Sequence, residues 1–406
     1  MTITPVAGSV AAPQGFTAAG VHCGIRKNRE KRDLALIFSD VPASAAAVYT
    51  QNKVKGAPIL ITQENLRNGV AQAIICNSGN ANTCNADGPD IAREMCDLVS
   101  VALNIDSTDV VVGSTGVIGQ PLSIEPMKEG IPALAKLLSK QGDTDAGEAI
   151  MTTDIIKKEI AVSFEIGGKK CVMGAIAKGS GMIHPNMATM LGFITTDAAI
   201  DPGCLHTALL DSVADTYNMV SVDGDTSTND TVAVLANGLA GNRPITGPGK
   251  DYDDFCAALN YVNHHIARLM AADGEGATKL LVIKVTGAVD TANAKVIAKS
   301  VCCSSLFKAA MFGADANWGR VLCAIGYADA QVDVNKVAVS FASRAGTIDV
   351  CQDGAGIPFD EGVAKTVLSE KEIDVNITLG DGHAAATAYG CDLTYDYVKI
   401  NGDYRT

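Results

Sequence analysis

The chain has 406 residues, 47% of them hydrophobic and 19% charged, which is enough apolar material to bury a large core and more than one compact lobe. A net charge of −13 at pH 7, a pI near 4.9 and the absence of any Lys/Arg cluster argue against a nucleic-acid polyanion as partner and point to small molecules. No apolar run reaches the roughly 18 to 20 residues that span a bilayer, and residues 1–14 lack the basic start and apolar centre of a secretory signal, so the cytoplasm is the expected compartment.

Along the chain, short β-rich runs alternate with helical periodicity. Val70 to Cys76 and Asp109 to Val112 read as strands on either side of a helix in which Ile91, Met95, Leu98 and Ala102 recur at 3.6-residue spacing. Pro132 marks a helix start. The runs Ile160 to Phe164 and Cys171 to Ala177 lead into a glycine-rich loop, Lys178 to Thr189, and the run Phe193 to Thr196 leads out of it. A second long helix carries Phe255, Leu259, Val262, Ile266 and Leu269 on one stripe and stops at Asp273-Gly274-Glu275-Gly276. Lys279 to Val285, Val337 to Phe341, Ile373 to Leu379 and Leu393 to Ile400 complete the strands. The pattern predicts an α/β fold of layered, mixed sheets covered by helices.

Twelve cysteines are scattered over a chain with core enough to need no staples, and no CxxC pair occurs, so reduced and mostly buried thiols are expected. Cys302 and Cys303 fall in a helical run as packing and surface thiols. The histidines, including His184, His264 and His265, never stand at zinc-like spacing from cysteines, and no metal is expected. SVDGDTSTND begins like a calcium loop, but counting from Asp223 the sixth position is Thr228 and the twelfth Val234, which excludes an EF-hand. It reads as a tight loop near the site. The sole tryptophan, Trp318, reads as a packing anchor.

The block with most chemistry in it is KGSGMIHPNMATMLGF, residues 178–193. Gly179, Gly181 and Pro185 make an unusual approach to Ala188-Thr189, and the apolar residues Met190, Leu191, Phe193 and Ile194 follow as a strand. A threonine hydroxyl is a poor nucleophile without a base. One economical base is the residue's own α-amine, freed when the preceding peptide bond is cut. On chemistry alone, a glycine-rich turn entering a buried strand is the better account of the block.

The same block resembles the signature of the ornithine acetyltransferase family, the bifunctional glutamate N-acetyltransferase/amino-acid acetyltransferases of arginine biosynthesis. GVHCGIRKNRE from Gly20, CNSGNANTCNADG from Cys76, GSTGVIG from Gly113, SVDGDTSTND from Ser221, GADANWGR from Gly313 and the terminal NGDYRT extend the resemblance over essentially the whole chain. It implies the self-cleaving DmpA/ornithine acetyltransferase architecture, similar to but distinct from N-terminal-nucleophile hydrolases. It also implies a cut between Ala188 and Thr189, giving fragments 1–188 and 189–406 as two copies each of a heterotetramer. Thr189 would then carry an acetyl group from N2-acetylornithine to glutamate.

By the same resemblance, Thr115 and Gly116 supply a hydroxyl and a backbone N–H to the oxyanion, Ser114 and Gly119 being the other local candidates; read by itself, GSTGVIG is a plain turn. Substrate contacts map onto Thr152, Lys178, Thr189, Glu275, Asn401 and Thr406, with Thr152 and Thr153 equally eligible at the first position. Lys178 suits a carboxylate and Glu275 an ammonium, and a last strand would bring Thr406 to the pocket. No bound cofactor is implied; acetyl-CoA enters only as an alternative acetyl donor, and no phosphate-cradling loop decides its use. One other reading shares the chemistry, an N-terminal-nucleophile amidohydrolase or aminopeptidase in which water resolves the acyl-enzyme; a non-enzymatic reading is a metabolite-binding protein that never cleaves.

Overall fold

The computed structural model describes residues 2–184 and 190–403, which build two mixed sheets. The first has nine strands. Its spatial order is Thr4–Val6, Lys158–Ile166, Lys169–Lys178, Leu191–Thr196, Thr231–Ala236, Leu34–Tyr49, Val70–Asn80 and Val110–Val117, with Phe16–Val21 paired to Leu34–Tyr49 off this path. The central strand Thr231–Ala236 is buried at every residue, as a strand covered on both faces must be. It runs parallel to Leu191–Thr196 and antiparallel to Leu34–Tyr49, so residues on either side of 185–189 are woven into one sheet.

The second sheet has seven strands, in the order Ala355–Gly356, Gly346–Gln352, Ala338–Ser343, Glu372–Thr378, Leu280–Ala288, Ala384–Cys391 and Val220–Ser221. The helix Lys250–Ala272 packs against Lys158–Ile166 and Lys169–Lys178 of the first sheet and Ala384–Cys391 of the second. Phe255, Leu259, Val262 and Ile266 are fully buried on its apolar stripe, whereas Leu269 is half-buried and Met270 takes its place in the core. The helix ends at Ala272 with Asp273 as its cap, so that Asp273 and Glu275 emerge between the sheets.

The layered mixed sheets match the expected architecture, with four local corrections. Leu393–Ile400 is not a strand: Tyr395–Asp403 is helical, entered through Thr394, whose hydroxyl accepts the Tyr397 N–H at 3.4 Å. At the end from which the chain leaves it, the preceding strand Ala384–Cys391 is paired on both sides, with Leu280–Ala288 and, at Tyr389 and Gly390, with Val220–Ser221. Pro132 lies inside the helix Glu125–Lys136, and Pro126 occupies the first turn instead. GSTGVIG is not a plain turn, because Val110–Val117 stays extended through Gly116 and bends only afterwards. In the helix Gly88–Leu103, the buried stripe runs through Ala92, Met95, Cys96 and Val99, one residue round from Ile91, Leu98 and Ala102.

All twelve cysteines are free, but six are buried rather than most of them; Cys302 is core and Cys303 half-buried. Trp318 packs beside the second sheet's core, against Gly356, where a Cβ would lie 2.3 Å from its ring. No helix among the described residues is long and apolar enough to cross a membrane.

Candidate active site

One pocket brings together Thr115, Gly116, Thr152, Thr153, Lys178, Glu275 and Asn401. These residues arrive from the end of a strand, a loop, a second strand end, a helix C-terminus and the last helix. Thr152 and Thr153 both line the pocket, so the two candidates stand side by side. Size does not single it out: at about 130 Å³ it is smaller than a hollow of about 360 Å³ lined by Tyr49, Arg67 and His206, which holds none of the expected residues.

Gly116 faces Gly79 across the parallel pairing of Val70–Asn80 with Val110–Val117, where the register slips at Asn80. Its φ of +133° suits glycine, and an added Cβ would lie 2.3 Å from the Gly79 carbonyl carbon. Asn229 locks this irregular strand end. Its Nδ2 donates to the carbonyls of Ala81 at 2.5 Å and Ser114 at 3.0 Å, while its Oδ1 accepts from the hydroxyls of Thr83 and Thr228, each at 2.6 Å. Ser114 Oγ donates inward to Asn77 Oδ1 at 2.6 Å, so it is committed to the scaffold. The Thr115 hydroxyl has no hydrogen-bond partner among the described residues and faces the pocket.

Lys178 is the last residue of its strand and only 8% exposed. Burial pulls its pKa below the ordinary lysine value, and Asp154 is the largest opposing influence. Behind it lies a buried ionic cluster. Lys158 Nζ donates to Asp154 Oδ1 at 2.7 Å and Asp273 Oδ2 at 2.6 Å, with all three side chains fully buried. Burial alone would raise the Asp154 pKa, but Lys178 and Lys158 outweigh it and hold the carboxyl well below the usual range.

The cluster organises the backbone around the pocket. Asp154 accepts the N–H groups of Gly179 at 2.7 Å and Thr152 at 3.0 Å, and Asp273 those of Ile155 at 3.1 Å and Ile156 at 3.2 Å. Lys158→Met strands two buried carboxylates and is expected to cost about 3–5 kcal/mol of stability, measured as a shift of the urea midpoint. Adding Asp154→Asn should restore part of that loss; additive losses would mean the pair is not coupled.

Glu275 is 8% exposed, and its Oε2 accepts Asn401 Nδ2 at 2.8 Å, tying the last helix to the pocket. Gly181 lies beneath it, where an added Cβ would come within 2.4 Å of the carboxyl carbon and press the side chain aside. Asp223 secures the next step of the loop, accepting the N–H groups of Met182 at 2.6 Å and Ile183 at 2.9 Å. A smaller hollow opens beside the pocket, sharing Thr115, Lys178 and Asn229 and adding Met190 and Asp230. Asp230 is buried with no partner for Oδ2 among the described residues, and burial raises its pKa well above the ordinary value despite Lys178 nearby.

A family model described as the ArgJ family matches residues 17–406. The chain belongs to the ArgJ family. It is 50% identical over 400 residues to the "Arginine biosynthesis bifunctional protein ArgJ" of Caldanaerobacter subterraneus subsp. tengcongensis, covering 98% of this chain and 99% of that protein. The protein of the same name from Symbiobacterium thermophilum is 51% identical over 403 residues, covering 99% of each. Among solved structures, the ornithine acetyltransferase from Mycobacterium tuberculosis complexed with ornithine is 36% identical over 46% of this chain and all of that chain, with a TM-score of 0.43.

In this ArgJ-family chain the expected positions Ala188, Thr189 and Thr406 lie outside the described residues. Thr115, Gly116, Thr152, Lys178, Glu275 and Asn401 all line this pocket, whereas the alternative candidates Ser114 and Gly119 do not. Residue-type reasoning missed Asp154, Lys158, Asp273 and Asn229. Asp154 stands two residues after Thr152 and four before Lys158, a spacing that invites an ion pair; Asp273, in sequence, reads only as a helix stop. Asn229 lies in SVDGDTSTND, whose density of hydroxyl and amide groups was the available signal.

Proposed function

We propose that this protein is a glutamate N-acetyltransferase of arginine biosynthesis, moving the acetyl group of N2-acetylornithine to glutamate through an acetyl-threonine intermediate. The observation that carries the reading is the convergence of Thr115, Gly116, Lys178, Glu275 and Asn401 on one pocket in an ArgJ-family chain. Self-cleavage between Ala188 and Thr189 gives Thr189 a free α-amine with a reference pKa of about 7.7–8.0, suited to proton transfer near neutrality.

Thr189 Oγ attacks the acetyl carbonyl carbon as its proton passes to that amine. The tetrahedral oxyanion is held by the Thr115 hydroxyl and the Gly116 N–H. Collapse breaks the amide C–N bond, the amine returns the proton to the departing nitrogen, and ornithine leaves an ester on Thr189. The amine of glutamate then attacks the ester by the same steps in reverse, regenerating the hydroxyl. Lys178 offers a buried cation to the substrate carboxylate, and Glu275 offers an anion to the side-chain ammonium of ornithine. Glu275→Gln should therefore raise KM for acetylornithine by about tenfold or more while changing KM for glutamate less; equal changes would remove that assignment.

By the resemblance to the bifunctional family, the reading extends to acetyl-CoA as a second acetyl donor. The active form is a heterotetramer of two 1–188 and two 189–406 fragments, working in the cytoplasm. The deciding experiment is an intact-mass measurement for the two fragments, with glutamate acetylation assayed separately from acetylornithine and from acetyl-CoA. A full-length chain that transfers nothing from either donor overturns the reading. Hydrolysis of acetylornithine without transfer would favour the amidohydrolase alternative.

A further inference from the structure

The block GVHCGIRKNRE contributes no residue to the pocket, yet it folds directly behind it. Asp33 builds this loop. Its side chain is fully buried and accepts the N–H groups of Cys23 at 2.6 Å, Gly24 at 3.2 Å and Arg26 at 2.9 Å, while its carbonyl accepts Ser78 N–H at 2.9 Å. The loop is thereby fastened to the strand that pairs with Thr115 and Gly116.

Arg26 projects from this loop across the back of that strand. An added Cβ on Gly79 would lie 2.8 Å from Arg26 Cγ, and Gly79 is the residue facing Gly116. Gly79 itself has a φ of +97°, so the close stacking of Arg26, Gly79 and Gly116 depends on two glycines in sequence-distant strands. The Arg26 guanidinium then donates to the carbonyl of Met151, the residue before Thr152. One side chain thus joins the strand that pairs with the oxyanion residues to the substrate loop.

We propose that Arg26 is a positioning residue for acetyl transfer, setting the Thr115–Gly116 backbone against the Thr152 loop from outside the pocket. This rests on the acetyltransferase reading above. A displacement of about 1 Å in such a frame can cost on the order of 100-fold in rate, and the oxyanion contact acts chiefly in the transition state.

The test uses the full chain carrying Arg26→Ala. The expected result is a fall in kcat of about 30- to 100-fold, a smaller change in KM, and recovery of about tenfold when guanidinium is added at non-denaturing concentration. Arg26→Ala with kcat within twofold of wild type overturns the proposal, as does a loss of kcat that guanidinium leaves untouched. If Arg26→Ala does not fold, Arg26→Met keeps the aliphatic stem on Gly79 and removes only the guanidinium. For that variant, loss of kcat at near-constant KM supports the role, and unchanged kcat refutes it. A wild-type protein without acetyl transfer would sink the parent reading, an outcome distinct from failure of either variant.

Discussion

Replacing Thr189 with Ala is expected to leave a single polypeptide of 41.9 kDa on a denaturing gel and to lower acetyl transfer on the order of 10⁵-fold or more. The variant loses the attacking oxygen. It also loses the cut that frees the α-amine, so nucleophile and base disappear together, and the residual rate reports only binding and oxyanion donors. Thr189→Ser separates the two roles: it retains a hydroxyl and should still yield two fragments, with slower transfer. The scaffold after this position is firm, since Met190 is 3% exposed, its carbonyl accepts Thr231 N–H at 2.8 Å, and it lines the hollow shared with Thr115 and Lys178. A Thr189→Ala protein that appears as two fragments, or transfers at near wild-type rate, would end the acetyl-threonine mechanism.

Thr115→Ala should lower kcat by about 100- to 1000-fold with KM changed much less, the scale on which a single oxyanion donor is felt. The prediction draws on the structure as well as on the residue type. Ser114 is spent on Asn77, whereas the Thr115 hydroxyl is unengaged among the described residues and turned to the pocket. Thr115→Ser, which keeps the oxygen, should recover most of the rate. Steady-state kinetics with acetylornithine and glutamate separate the outcomes, and a loss confined to KM would place Thr115 in substrate binding instead.

How far the chain could be read without coordinates differed from element to element. The strands from Val70, near Asp109, from Cys171 and from Lys279 announced themselves through β-branched and apolar runs, because burial on both faces demands such residues whatever the neighbours are. The helix Lys250–Ala272 was equally plain, since its stripe has the period of the backbone itself. Leu393–Ile400 misled because its local composition suits a strand, while the choice between strand and helix depended on whether a sheet edge was free. Pro132 misled because proline at a helix start and proline within a helix look alike without the neighbouring turns.

The site shows the same division. Thr115, Gly116, Lys178 and Glu275 could be named from blocks that resemble a family, because such blocks carry residue identity along with order. That they share a pocket with Asn401, and that Asp154, Lys158, Asp273 and Asn229 hold it in place, follows from contacts between segments as far apart as residues 158 and 273, or 81 and 229. Local sequence by itself determined the periodic elements, the acidic net charge and the blocks that resemble a family, because these depend on residue type and spacing along one backbone. Only the tertiary structure decided which buried charges neutralise one another, which glycines permit close approach, and which hydroxyl is left facing the pocket. Those depend on distances that no single segment contains.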